Sequence, residues 1–337
     1  MKLIKIAVSL SLGLFFMKLA LGGADFSRAS AMALSLNPLY LLCALFTFLY
    51  TQFIRSTRWY MLLNDSRLSF LDMFKVFYLG LFANYVIPFR LGEFARPAAL
   101  KKMKGSGFTQ TLGVVFVERI FDLGGQAALL LFVLIFAPLP FESRLIVYMK
   151  IAAYSVSAIA VFAVASFLIF NRSIEYFRSL VFSATGVYPA LAKKIDRFML
   201  AFNSGALIIK DKKTFFMAFF YTMVSWFTSA ATIMFALNSA GINLNSPFLS
   251  SCFIQAAISI ALVIPPPPGF VGTFHYFCME GLKFYSIDEK SAFSFALIFH
   301  ALQIFMIAIP GIAFMVEYGL KMGDFMTPEN EKMKPAG

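Results

Sequence analysis

Long apolar stretches alternate with short polar ones along the whole chain, and their lengths set the first expectations. A bilayer core of about 30 Å is crossed by about 20 apolar helical residues. Six stretches reach that length, at about 4–22, 38–57, 109–137, 145–170, 214–239 and 291–317, and each predicts a spanning helix. The first also fits a cleaved leader, since Lys2 and Lys5 precede it and Leu21-Gly22-Gly23-Ala24 follows. The architecture below needs it as a span.

Two further stretches, about 73–100 and 247–285, are interrupted. In one, an apolar run stops at Pro88 and a half-length segment begins at Gly92. In the other, a run halts at Pro265-Pro266-Pro267-Pro268-Gly269 and a second helix starts at Phe270. Proline removes a backbone donor and clashes with the preceding turn, so helices end there. Two short helices around a break predict a re-entrant hairpin, tolerated at membrane depth only inside protein or against a water-lined cavity.

The order span, span, hairpin, span occurs twice. Corresponding features are offset by 176 residues (second spans, 38 and 214), 177 (breaks, 88 and 265) and 182 (last spans, 109 and 291). The expected fold is an all-α polytopic membrane protein, with six full transmembrane helices and two re-entrant hairpins in an inverted repeat. Its first repeat covers 1–138 and its second 139–320, followed by a polar tail, 321–337. Opposed repeats with broken helices point to transport, with a site near the midplane where the hairpins meet. Between the halves, Val187, Leu191, Ile195, Phe198, Phe202, Ala206 and Ile209 recur at three- and four-residue spacing, with Lys193, Lys194 and Arg197 among them. This predicts an amphipathic helix over about 187–213 on the cytoplasmic leaflet, held by anionic lipid without a specific partner.

Composition agrees. Of 337 residues 60% are hydrophobic and 14% charged, with 43 Phe and 17 Met. Soluble domains carry about 45–50% apolar and about 25% charged residues. An ordinary soluble enzyme, a disordered chain and a nucleic-acid-binding domain are excluded, despite a net charge of +12. Cys43, Cys252 and Cys278 all lie in apolar runs and offer neither a disulfide framework nor a metal motif. With both termini inside, 20 of the 29 Lys and Arg fall in cytoplasmic segments, Arg55 and Arg58 counted among them. A full crossing at 73–100 would put Lys101, Lys102 and Lys104 on the wrong side.

Six ionisable residues remain within the membrane around the first hairpin: Arg90, Glu93, Arg96, Glu118, Arg119 and Asp122. Each costs about 2.5–3.5 kcal/mol at the bilayer centre even on the mild scale, so they must face inward and pair. The set fixes helix registry, binds substrate, or does both. Three features favour binding. The cations are all Arg, whose planar fork matches phosphate. Gly92, Gly269 and Gly272 permit close backbone approach. Both returning half-helices present N-terminal ends to the midplane. Pro268, His275 and Glu280 complete the expected site; His275 fits either proton coupling near neutral pH or a hydrogen-bonded structural role. His300 is expected to pack.

Three segments then become recognisable. Asn84 to Leu100, with Pro88, Arg90-Leu91-Gly92-Glu93 and Arg96, resembles the first signature of the lysylphosphatidylglycerol synthase transmembrane, flippase-like family. Glu118-Arg119-Ile120-Phe121-Asp122 resembles its second, and Pro267-Pro268-Gly269-Phe270-Val271-Gly272-Thr273 its third. His275 stands where the family often has an acidic residue. The resemblance covers essentially the whole chain. It implies a stand-alone bacterial or archaeal inner-membrane protein without the soluble aminoacyl-transfer domain, translocating or binding an aminoacyl-phospholipid, another anionic phospholipid or a polyprenyl-linked lipid.

The alternatives are a hopanoid or other lipid-pathway accessory protein and a membrane-embedded lipid-modifying enzyme. No nucleophile–base pair or metal set supports an enzyme. No cofactor and no nucleic-acid partner are expected. Expected partners are membrane lipids with a phosphate head group, together with a second copy of the chain or a lipid-synthesising enzyme.

Overall fold

The computed structural model describes residues 11, 14–21, 24–87, 92–136, 144–184, 189–207, 211–260 and 267–320. Most of the expected first span, the breaks at Pro88 to Leu91 and Pro265-Pro266, and the tail lie outside them; residues 14–21 are helical. The described residues form helices and no strand.

In chain order the helices are α1 (Phe26–Leu34), α2 (Pro38–Leu63), α3 (Phe70–Val86), α4 (Gly92–Lys104), α5 (Phe108–Phe136) and α6 (Arg144–Arg172). They continue as α7 (Ile174–Ala184), α8 (Pro189–Ala206), α9 (Lys212–Ser239), α10 (Pro247–Ile260), α11 (Thr273–Lys283) and α12 (Glu289–Glu317), with a 3₁₀ turn at Pro268–Phe270 before α11. Side-chain oxygens cap their starts. Asn37 accepts from Leu39 and Tyr40 ahead of Pro38, while Ser69, Asp211 and Asp288 accept from the third residue of α3, α9 and α12.

Four of these helices, α2, α5, α9 and α12, are long and apolar enough to cross a membrane. α6 adds a 29-residue helix over the expected 145–170. Their outer faces are greasy: Phe46, Phe162, Phe216, Phe220, Phe305 and Ile309 are all more than half exposed. A belt of this kind has no place in water and suits lipid.

Both interrupted stretches fold as antiparallel helical hairpins. Across the first, Asn84 lies against Gly92, Gly80 against the Arg96 stem, and Asp72 pairs with Lys104 at 2.8 Å. The two residue numbers always sum to 176 in these contacts, the signature of a chain that turns and retraces its path. At Gly92 the return arm comes so close to the backbone of Ala83 and Asn84 that a Cβ would collide with it. In the second hairpin Gly281 packs on Ile254, and Phe253 stacks on Phe284 with centroids 4.3 Å apart.

α2 and α9 run antiparallel along their length, joined by hydroxyl contacts: Thr47 with Thr232 at 3.1 Å and Thr51 with Thr228 at 2.9 Å. Thr51 and Thr228 are 177 residues apart, the same offset as the two proline breaks. The first arm of each hairpin crosses to the other half. Phe82 of α3 packs over Gly311 of α12, and Ser259 of α10 accepts from Gln126 of α5 at 3.0 Å. The expected loop helix is the shorter α8, and it is not simply afloat: Phe202 meets Phe116 and Gly205 fits under the Gln110 carbonyl of α5.

Two apolar cores result. One gathers Trp59, Leu62, Met73, Val76, Leu79, Ala95, Leu100, Val114 and Val117 around the first hairpin. The other gathers Leu130, Val133, Ile233, Phe253, Cys278, Phe293 and Phe299 around the second. Between them α2, α5 and α9 present polar residues, and the candidate site is built there.

Candidate functional site

The site begins with α5, whose Glu118 is 1% exposed. An isolated carboxylate at that depth would be untenable, and two guanidiniums flank it. Arg96 of α4 donates to its Oε2 at 2.6 Å, and Arg58 of α2 donates to its Oε1 at 3.0 Å. Arg58 is itself 1% exposed, lies 2.7 Å from Asp122, and donates to the Thr222 hydroxyl of α9 at 2.6 Å. Arg119 closes the set, with Asp122 at 2.9 Å, Glu118 at 3.1 Å and Glu93 at 3.2 Å. The Arg96 guanidinium also lies over the Trp59 ring, 4.9 Å from its centroid, and gains a cation–π contact there. One network thus ties α2, α4, α5 and α9.

Of the residues expected to cluster, Glu93, Arg96, Glu118, Arg119 and Asp122 do so. Arg90 lies outside the described residues. Arg58 was missed, and its place corrects the charge count along the sequence. α2 extends to Leu63 rather than stopping near 57, so Arg55 and Arg58 lie within the helix and not in a cytoplasmic loop. Pairing makes the extension tolerable, because Arg58 enters the interior already neutralised. A signal was present. Thr47, Thr51, Arg55 and Arg58 recur at helical spacing on one face of an otherwise apolar segment.

Beside the network is a cavity of about 190 Å³ bounded by α2, α3, α9, α10, α12 and the turn of the second hairpin. Its polar wall includes Gln52, Arg55, Asn84, Ser229, Gln255 and Gln303. The hairpins meet at its edge. Tyr85, at the end of α3, packs edge-on against Phe270 at 5.6 Å, and the Tyr85 carbonyl lies close to Gly269. Gly269 and Gly272 both have positive φ, 63° and 88°, which lets the chain reverse within a few residues.

The remaining expected residues divide. Pro268 and Gly269 form the turn. The Gly272 N–H donates to Nδ1 of His275 at 3.3 Å, so this histidine caps its own helix. It is 4% exposed, and its ring lies 4.8 Å from that of His300, edge to face. His300 packs flat on Phe274, which lines the cavity. Glu280 is elsewhere: it pairs with Lys283 at 2.8 Å, one-third exposed, and touches neither network nor cavity.

An apolar helical bundle with a lipid-facing belt, two hairpins and a buried network of ion pairs defines a multi-pass membrane protein. The chain belongs to the family described as the lysylphosphatidylglycerol synthase TM region, which it matches over residues 2–311. It is also similar to a UPF0104 membrane protein of Methanocaldococcus jannaschii, 27% identical over 255 residues, covering 75% of this chain and all of the relative.

Proposed function

We propose that the protein binds a phosphate-bearing membrane lipid in the cavity between the hairpins and moves its head group across the membrane. The lipid classes in view are aminoacyl-phospholipids, other anionic phospholipids and polyprenyl-linked lipids. The observation that carries the reading is the polar cavity at the junction of the two hairpin turns, inside a bundle whose outer surface is apolar. A head group needs such a place, because it cannot cross hydrocarbon unaided.

In this reading both hairpins are re-entrant and the halves form an inverted repeat in the cytoplasmic (inner) membrane of a bacterium or archaeon, with both termini in the cytoplasm. The near-diagonal Thr51–Thr228 contact and the reciprocal crossing of α3 and α10 support it. Arg96, with its carboxylate and aromatic partners, holds the framework, and Arg119, more exposed at 29%, is the most open cation of the network. Gly269 and Gly272 let the second hairpin reorient.

The test is reconstitution into liposomes carrying head-group-labelled phosphatidylglycerol, its aminoacylated form or a polyprenyl phosphate, with a membrane-impermeant quencher outside. Accelerated loss of the protected inner-leaflet signal for one of them is expected. Signals matching protein-free liposomes for all three would remove the reading.

A further inference from the structure

Arg55 is the exception in the polar layer. Arg58, Arg96 and Arg119 each have carboxylate partners, whereas Arg55 has one long hydrogen bond, 3.5 Å to the Ser229 hydroxyl. Among the described residues of this layer four arginines face three carboxylates, Glu93, Glu118 and Asp122, so one positive charge is left over. It lies on the cavity wall. Asp122 attracts it from beyond ion-pair distance but is already paired with Arg58 and Arg119, so the guanidinium has no counterion of its own.

Its neighbours extend the argument. Gln52, 4% exposed, and Asn84 line the same cavity, and each has a buried side-chain oxygen with no hydrogen-bond partner. Such orphans call for a donor. Gln255, Gln303 and the Ser229 hydroxyl add N–H and O–H groups around the same space. The Asn84 oxygen lies against Gly92, so the cavity offers one permanent cation, several neutral donors and one unused acceptor, that of Gln52.

We propose that this cavity is an anion site in which Arg55 holds a phosphate monoester or diester, while Gln52 accepts from a hydroxyl or ammonium group next to it. The inference deepens the lipid-transport reading and rests on it only for the source of the phosphate, a lipid head group. The buried ion pairs then lie beside the site, and Arg55 is its ligand-facing charge.

Binding is read from thermal stabilisation of the purified full-length protein in detergent. The probes are dihexanoyl phosphatidylglycerol, glycerol phosphate and dihexanoylglycerol. Saturable stabilisation by the phosphatidylglycerol and none by dihexanoylglycerol is expected; equal stabilisation by both overturns the proposal. Glycerol phosphate as effective as the lipid would keep the anion site and reassign its source to a soluble phosphate.

Arg55→Gln should weaken phosphatidylglycerol binding roughly 10- to 100-fold, the scale of one charge-assisted contact. Ser229→Asp is the companion variant. It places a carboxylate beside Arg55, preserves the pairing logic of the layer, and should abolish binding while raising the melting temperature without ligand. Wild-type affinity in either folded variant overturns the proposal. Binding that depends on Arg55, in a protein that moves no lipid in liposomes, would leave this site standing and remove the transport reading alone.

Discussion

The two hairpins solve one packing problem with different chemistry. In each half the return arm leans on the last long helix, α4 on α5 and α11 on α12. Glu118 of α5 and His300 of α12 are separated by 182 residues, the offset of those two long helices, and the residue of α11 that faces His300 is His275. The first joint holds Arg96 to Glu118 at 2.6 Å and Arg119 to Glu93 at 3.2 Å. The second holds two imidazole rings 4.8 Å apart, one of them stacked on Phe274. A charged joint tolerates no missing partner, because every removal leaves an ion buried. A stacked joint is graded, losing contact area and a hydrogen bond. The first hairpin is thus expected to be the firmly specified one, and the second, with its positive-φ glycines, the more adaptable.

The sharpest way to break that comparison is to replace matched residues. Glu118→Gln removes the carboxylate shared by Arg58, Arg96 and Arg119, and should destabilise the protein by about 3–5 kcal/mol, as expected for breaking a buried ion pair. His300→Gln, its counterpart, should lose only about 1–2 kcal/mol. Thermal melting in detergent measures both. Equal losses would mean that the two joints are energetically alike and that the charges add nothing to specification.

The glycines give a smaller contrast. Gly92→Ala drives a Cβ into the backbone of Ala83 and Asn84, which cannot rotate away, and should cost about 2–3 kcal/mol. Gly269→Ala meets no atom closer than 3.6 Å and suffers only from its φ of 63°, at about 1 kcal/mol. Limited proteolysis at the two turns alongside melting would show whether the first hairpin opens as expected. A larger loss at Gly269 would reverse the assignment of the firm and the adaptable hairpin.

What the sequence could reveal follows the same division. Run lengths and prolines disclosed α2, α5, α6, α9 and α12 and the two antiparallel helix pairs, because apolar length and a missing backbone donor are local properties. The acids and arginines of α4 and α5 were legible for a related reason: charge in a greasy segment must find a partner, and the partners were near in sequence. Arg58 was not legible that way. Its partners Glu118 and Thr222 are 60 and 164 residues distant, and its position near a helix end read as a loop. The stripe of Thr47, Thr51, Arg55 and Arg58 was the available clue, matched on α5 by Glu118, Asp122 and Gln126. Glu280 erred in the opposite direction. Being charged near a glycine motif does not decide which way a helical side chain points.

That last residue provides the smallest expected effect and a control for the rest. Glu280→Gln removes the same carboxylate as Glu118→Gln, with no change in shape. Its only ion-pair partner among the described residues is Lys283, three residues on and 38% exposed, so water replaces what is lost. Exposed pairs of this kind contribute about 0–1 kcal/mol and weaken with salt. The variant should melt within about 0.5 kcal/mol of wild type. The difference should shrink further between low and high salt, and phosphatidylglycerol binding should be unchanged. The gap between the two Glu→Gln variants then measures depth rather than residue type. A loss at Glu280 approaching that at Glu118 would mean that the outer end of α11 lies in a far drier setting than its exposure indicates.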